Sequence, residues 1–398
     1  MANNNTEALD SIKKTMLNLK EHPIAVKTVS RFLEQREKLL LFLQKHKKKA
    51  IIITSLTLIL TIYFVVFYNR INRYLGRMSI YNMQINPLQY NETIMNGNYK
   101  LCDFYISSSY KSYLPCTNYY DYSSTESIKK LLQTGVRYID LDIFNEGFNS
   151  CTEPIVCSGD EVGNWKYTTS ITLDSACDTI AKTAFSSNVV SNPGDPLFIN
   201  LNFKTWYNMA TTSKCAGIIK RHFQHKLLSK QFAYQGRYTS RNLATTSIKE
   251  LIGKVIIITS GKIINTDMDE ICNLNSDTTS NLRNLTNVQV KDSYDPNELK
   301  EYNKRNLTRV IPAFNNRKKD NFNFYTAYYL GCQFICMNFT EPTDFMVAYA
   351  KRFQKCSFIL KPYKLRYRPL LIKAPFKQTK KVSFAPKKVT TPFYSITY

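Results

Sequence analysis

The stretch TGVRYIDLDIFNEGFNSCTEPIVCSG, residues 134–159, sets the terms on which the rest of the chain is read. Its first part, VRYIDLDIF (136–144), reads as a strand that ends in a carboxylate pair, Asp140 and Asp142. Side chains two apart on a strand point to the same face, about 7 Å from each other. Such a pair suits a cation or a sugar hydroxyl. The segment that follows, EPIVCSG (153–159), reads as a second strand and offers Cys157 and Ser158 where acid–base chemistry would want a base.

Working outward, further short apolar segments alternate with helix-length stretches: LCDFYIS (101–107), PLFINLNF (196–203), KVIIITS (254–260), RVIP (309–312), CQFICMNF (332–339) and CSFILKP (356–362). Eight strands with intervening helices predict an α/β fold, a divided (β/α)8 TIM-like barrel. Such barrels place their chemistry at the C-terminal ends of the strands, where Asp140 and Asp142 would lie. Residues 265–307 are polar and Asn-rich and divide a longer first half, 101–264, from a shorter second half, 308–368.

The flanks differ from this core. Residues 50–67, AIIITSLTLILTIYFVVF, are eighteen residues without a charge, the lower length limit for a membrane-spanning helix. Six Lys/Arg lie within fifteen residues before the run and three within fifteen after it. The positive-inside rule then leaves the basic helical segment 1–49 cytosolic, with 68–100 as connector and the domain beyond lumenal or external. All ten cysteines follow the span, which predicts disulfides in an oxidising compartment. The chain carries a net charge of +24, and residues 1–49 and 361–398 together hold +16 of it. The basic tail, 369–398, suggests contact with anionic phospholipid headgroups. Nucleic acid is a weaker expectation for the same tail. Within it, KVSF (381–384) resembles a docking motif for a protein phosphatase catalytic subunit.

The order of the segments is itself informative. FYISSSYKSYL, GVRYIDLDIF, PIVCSG, PLFINLNF, YNKRNLTRVIP and YLGCQFICMNFTEPTDFMVAYAKRFQKCSFILKP resemble, in sequence order, the X and Y halves of eukaryotic phosphoinositide-specific phospholipase C. The last run is the most specific, matching the family at Gly331, Cys332, Gln333, Asn338, Phe339, Phe353, Leu360, Lys361 and Pro362. The likeness spans roughly residues 100–368. It implies the family's interrupted barrel, without its pleckstrin-homology, EF-hand and C2 modules.

The same resemblance implies that the catalytic positions have changed. Where the family has its first histidine, SSYKSYL has Tyr110, and the calcium-ligating Asn that follows is Lys111. The ELD carboxylates correspond to Asp140 and Asp142, the second histidine to Ser158, and the fourth-strand glutamate to Asn202. Ile258 and Ser260 stand for two phosphate-contacting lysines. Arg309 is kept, Ile311 replaces an aromatic that packs on the inositol ring, and Ser293 corresponds to a substrate-contacting serine. The chain has only four histidines: His22 and His46 lie before the apolar run, and His222 and His225 share one helical segment. The family mechanism needs one imidazole as base and one as acid. Neither serine nor a tyrosine of ordinary pKa about 10 is poised for that exchange near neutrality. Calcium wants six to eight oxygens, so a lysine and an amide among its ligands imply that the site, and with it any cofactor, is lost.

Two readings result. The first is a membrane-anchored phospholipase C-like barrel without phosphodiesterase activity, acting as a binding or structural protein. In it Arg309 and Lys111 are the substrate-binding candidates, and Tyr110, Ser158, Ser293, Asp140, Asp142 and Asn202 are remnants. The alternative is an active phosphoric diester hydrolase acting on a phosphatidylinositol-type lipid, rebuilt around Asp140, Asp142, Lys111, Arg309 and Tyr110.

Overall fold

The structure is a computed structural model that describes residues 31–38, 40, 41, 45, 47–79, 85–115, 122–147, 152–160, 163, 165–233, 241–277, 281–313, 321–369 and 385–398. Two compact units divide the chain, residues 1–73 and 74–398. In the first, the apolar run lies within a helix from Lys47 to Ser79. Its portion Lys47–Asn69 is long and apolar enough to cross a membrane, and none of it is buried. The hydroxyls of Thr54, Thr57 and Thr61 bond back to carbonyls of the same helix, at 3.0, 2.9 and 2.7 Å. That arrangement leaves the polar groups of an apolar helix satisfied without water.

The second unit is built on β1 (Phe104–Ser109), β2 (Tyr138–Asn145), β3 (Pro154–Val156), β4 (Ile171–Thr172), β5 (Leu197–Phe203), β6 (Val255–Ser260), β7 (Leu274–Asn275), β8 (Leu282–Thr286), β9 (Leu307–Ile311), β10 (Phe334–Met337) and β11 (Phe358–Leu360). Eight of them run in the spatial order β7-β6-β5-β2-β1-β10-β9-β8, and every neighbouring pair in that row is parallel. The row curls into a nearly closed (β/α)8-like barrel, open between its end strands β7 and β8. Helices cross between strands, including Thr125–Gln133, Leu173–Ala184, Met209–Phe223 and Asp344–Arg352. Each starts at a side chain that caps its free N–H groups: Ser124, Thr172, Asn208 and Thr343.

Period-two alternation sorts the strand residues into two packed layers. Ile139, Leu141, Ile199, Leu201, Val255 and Ile257 face the helices. Phe104, Tyr138, Phe198, Phe334 and Phe358 face inward and fill the N-terminal end of the barrel. Their rings meet at 4.6 Å (Tyr138–Phe334), 5.0 Å (Phe198–Phe334) and 6.3 Å (Phe104–Phe358). Because that end is plugged, the next residues of the same parity form a polar layer at the other end.

The GCQ motif acts here as a fastener. Gly331 has φ 78°, which only glycine adopts without strain. Gln333 is buried and accepts the Thr308 N–H at 2.9 Å. It donates to the carbonyls of Asn303 and Asn306 at 2.9 Å and of Cys102 at 3.3 Å. The side chain thereby joins the strand pair β9–β10 to the chain entering β1. Lys361 is buried beside it, with Nζ donating to the Asn303 carbonyl at 3.2 Å.

The strand assignment departs from the sequence reading in two ways. Segments 153–159 and 356–362 hold β3 and β11, which lie off the barrel row and pair antiparallel with β2 and β1. The places they were expected to fill belong to β7 and β8, inside the polar stretch 265–307. Both strands are short and polar, with one inward leucine each, Leu274 and Leu282, so hydrophobic pattern did not mark them.

The disulfide expectation is also corrected. Eight cysteines are described and all are free thiols, seven of them buried. Cys177, Cys215 and Cys336 sit on core-facing positions of helices and a strand, and the other buried ones in the segments that join them, where a thiol packs as a small apolar group. Cys116 and Cys151 lie outside the described residues, as does the KVSF segment. The eight described cysteines therefore give no support to an oxidising compartment.

Two outcomes are expected from this packing. Gln333→Leu would strand one N–H and three carbonyls, each orphaned buried group costing about 1–3 kcal/mol. A loss of at least about 2 kcal/mol in urea unfolding checks it. Among the described thiols, a maleimide applied to native protein should reach only the partly exposed Cys356, and all eight should react after denaturation.

Candidate functional site

The polar layer begins with strand register. Asp140 lies opposite Asn200 and Asp142 opposite Asn202 across the β2–β5 pair. Asn202 in turn lies opposite Ser260 on β6, and Arg309 on β9 opposite Asn284 on β8. All these positions share the inward parity of Tyr138 and Phe198, so the two carboxylates emerge together above the aromatic plug.

Asp140 is fully buried and carries four hydrogen bonds. Its Oδ1 accepts from Arg309 Nη2 at 2.7 Å, Asn200 Nδ2 at 2.8 Å and Asn202 Nδ2 at 3.0 Å. Its Oδ2 accepts the Lys111 backbone N–H at 3.1 Å. Asp142 is nearly as occupied. Its Oδ1 accepts from Asn202 Nδ2 at 2.8 Å, and its Oδ2 from the Tyr113 hydroxyl at 2.8 Å. Lys111 Nζ lies 3.3 Å from the same Oδ2 and donates to Ser158 Oγ at 3.2 Å. Asn202 is the hub: one amide nitrogen serves both carboxylates. Its oxygen accepts from Asn200 Nδ2 at 2.8 Å, Ser260 Oγ at 3.2 Å and Arg309 Nη1 at 3.3 Å.

The electrostatics follow from this wiring. Burial pushes the Asp142 carboxyl upward, but the Lys111 and Lys204 ammoniums and the hydrogen bonds from Asn202 and Tyr113 outweigh it. It therefore titrates below the ordinary carboxylate value. Burial works against the Arg309 cation, and Asp140 more than offsets it, so Arg309 holds its proton well above its usual range. Burial pushes Tyr110 up to about 12 despite the neighbouring Lys111.

Above the layer opens a cleft of about 510 Å³. Tyr110, Lys111, Asp142, Asn202 and Arg309 line it, and Ser158 is buried behind the Lys111 ammonium. Ser293 is not among its walls; it lies half-buried in the link between two short helices, Asn287–Lys291 and Pro296–Asn303. His222 is on the helix Met209–Phe223, where its Nε2 meets Asp174 Oδ1 at 3.0 Å.

Several walls were not singled out from the sequence. Lys204, Trp206 and Tyr207 follow β5, and Lys262 follows β6. The rule that barrel chemistry gathers on the loops after the strands would have pointed to them. Trp206 and Tyr207 are both exposed, with φ of 51° and 58°. Two successive non-glycine residues in that region store strain of order 1–3 kcal/mol each, a feature that clusters at functional rims. Tyr113 and Asn200 were also missed, although each stands within a quoted motif.

This geometry can be set beside known proteins. The profile of the phosphatidylinositol-specific phospholipase C X domain matches residues 97–261, and that of the Y domain matches residues 255–364. The chain belongs to the phosphatidylinositol-specific phospholipase C family. These phospholipases are phosphoric diester hydrolases, and their X and Y regions cover the whole barrel described above. No curated protein sequence matches the chain. Among solved structures, PLC21 of L. pealei is similar at 17% identity and TM-score 0.54. PLC21 of S. officinalis is similar at 19% identity and TM-score 0.53. Each match covers 68% of this chain and 38% of the other. The chain thus corresponds to well under half of those phospholipases, and the likeness establishes the shared fold.

The buried charges predict a defined response. Asp142 has a depressed folded-state pKa, so its contribution is complete above the unfolded value, about 3.9, and is lost as pH falls through the lower folded value. Lys111→Met removes one partner of a buried pair and should cost about 3–5 kcal/mol near neutrality. The gap between wild type and variant should narrow below about pH 4, as Asp142 becomes protonated. Thermal unfolding across pH measures both effects.

Proposed function

We propose that this family member is a membrane-anchored barrel that holds an anionic, phosphate-bearing headgroup without hydrolysing it. The observation that carries the reading is the Lys111 ammonium, 3.3 Å from Asp142 and 3.2 Å from Ser158 in the mouth of the barrel. By the resemblance, that lysine and that serine stand where a calcium ligand and a histidine are expected.

The donor set supports the same reading. Both oxygens of each carboxylate accept N–H or O–H bonds, and the Asn202 amide presents its nitrogen to both. Turned over, it would set an oxygen against two carboxylates. Calcium needs those lone pairs, so the residues present do not fit the ion. Acid–base exchange lacks a group as well. Tyr110 is pushed up to about 12, and the histidine nearest in sequence, His222, is engaged by Asp174.

The cleft nonetheless suits an anion. Lys111, Lys204, Lys262 and Arg309 line it, against Asp142 and Asp277, and Asp277 already accepts the Gly261 N–H at 2.6 Å. Held cations of this kind bind phosphate oxygens by charge-assisted hydrogen bonds. The anchor is the helix Lys47–Asn69, about 35 Å long against a hydrocarbon core of about 30 Å.

The test is twofold. Inositol phosphate should bind the protein in calcium-free buffer, and Lys204→Ala and Lys262→Ala should each weaken it roughly tenfold. Phosphatidylinositol should not be cleaved with calcium present. Calcium should leave the wild-type melting temperature unmoved and raise that of the double variant Lys111→Asn, Asn202→Glu. Calcium-dependent hydrolysis by the wild type would end the reading.

A further inference from the structure

The last described element, beyond the barrel, is a hairpin of β12 (Lys388–Thr390) and β13 (Ser395–Thr397), paired as Lys388↔Thr397, Val389↔Ile396 and Thr390↔Ser395. The ladder continues on both sides. Lys387 and Tyr398 exchange two backbone bonds, at 2.8 and 3.0 Å, and the Thr391 N–H donates to the Tyr394 carbonyl at 2.8 Å. Alternation puts Val389, Tyr394, Ile396 and Tyr398 on one face, with Lys387 and Thr391 at its ends, and Lys388, Thr390, Ser395 and Thr397 on the other. The ribbon is therefore amphipathic. Its apolar face is open: Tyr394 is 56% exposed, Ile396 50% and Tyr398 70%, and Phe393 at the turn is 95% exposed.

A two-stranded ribbon is marginal alone and gains stability when its apolar face is covered. The charge pattern says by what. Residues 361–398 carry ten Lys/Arg and no acid, and Lys387 and Lys388 open the hairpin itself. A second copy would bring an equally basic tail against this one, and the two would repel. A bilayer with acidic headgroups attracts the lysines, while tyrosine and phenylalanine rings settle at the boundary between headgroup and acyl chain.

We propose that the hairpin Lys387–Tyr398 is a lipid contact separate from the cleft. It seats Val389, Phe393, Tyr394 and Ile396 in the interfacial layer of an acidic membrane, with Lys387 and Lys388 on the headgroups. None of these residues lines the cleft, so the contact does not depend on what the cleft binds.

The test places a reporter at the exposed turn with Phe393→Trp in the full chain, reconstituted into vesicles of phosphatidylcholine with or without phosphatidylserine. The difference spectrum against wild type removes the emission of Trp165 and Trp206. The expected result is a blue-shifted reporter, quenched by brominated lipid, in the phosphatidylserine vesicles only. Adding Lys387→Gln with Lys388→Gln should reduce that response, each lysine accounting for about fivefold in affinity for the acidic surface. Emission that stays red and open to acrylamide in both membranes would overturn the proposal. So would equal quenching with and without phosphatidylserine, or a cross-link joining residue 393 of two chains.

Discussion

The ion pair between Asp140 and Arg309 is the constraint around which the mouth of the barrel is organised. Its atoms are 2.7 Å apart, and its side chains are 0% and 3% exposed. It joins β2 of the first half to β9 of the second. A buried pair is not a source of stability in itself, since desolvation consumes most of the attraction. Once buried, however, each charge obliges the fold to supply a partner, and each partner needs its own. Arg309 answers Asp140. Asp142 sits two residues further along the same strand and same face, and it requires a second cation. Lys111 supplies it from the loop after β1, at a backbone φ of 45° that few non-glycine residues adopt. The strained backbone and the ammonium in the mouth are one feature. Holding the Lys111 N–H on Asp140 and its Nζ on Asp142 asks the chain to turn in that way.

How much of this the sequence made legible depends on how strongly each element is patterned. β2, β5, β6 and β10 are long or β-branched apolar runs, and they lie where the pattern put them. β3 and β11 are three-residue apolar segments bounded by turns, and periodicity alone cannot separate such segments from barrel strands. β7 and β8, at the open edge of the row, carry little apolar character: each turns one leucine inward, and β8 adds Leu285 on its outer face. At the site, Asp140 and Asp142 were readable because a period of two fixes their common face. The identity of their partners was not, because it depends on which loop folds over which strand. Tyr113 reaches Asp142 from a turn whose path no local pattern gives. Lys204 and Lys262 enter the cleft only through the curl of the barrel.

The most specific stretch of the family likeness turns out to be scaffold. Gln333, Gly331 and Lys361 are far from the chemistry of the mouth in role: they tie β9, β10 and the entry to β1 together at the plugged end. The aromatic layer of Tyr138, Phe198 and Phe334 lies between this fastener and the polar layer at the mouth. The free, buried cysteines belong to the same logic. Seven of the eight described are small buried side chains that fill the core.

The charges at the mouth balance. By the resemblance, two positions that would surround a divalent cation have changed: an asparagine has become Lys111, and a glutamate has become Asn202. The first change adds one positive charge, and the second removes one negative charge. Together they shift the site by two units, the charge of the ion they would replace. Either change alone would leave a buried imbalance of one charge, the situation that costs most in a low-dielectric interior. The present arrangement has two carboxylates facing two cations, with Asn202 donating to both acids. It is neutral among these four groups without a metal, and both oxygens of each carboxylate accept hydrogen bonds, while Arg309 Nε is left without a partner. Charge neutrality of the buried layer therefore pairs an uncharged Asn202 on β5 with a lysine after β1.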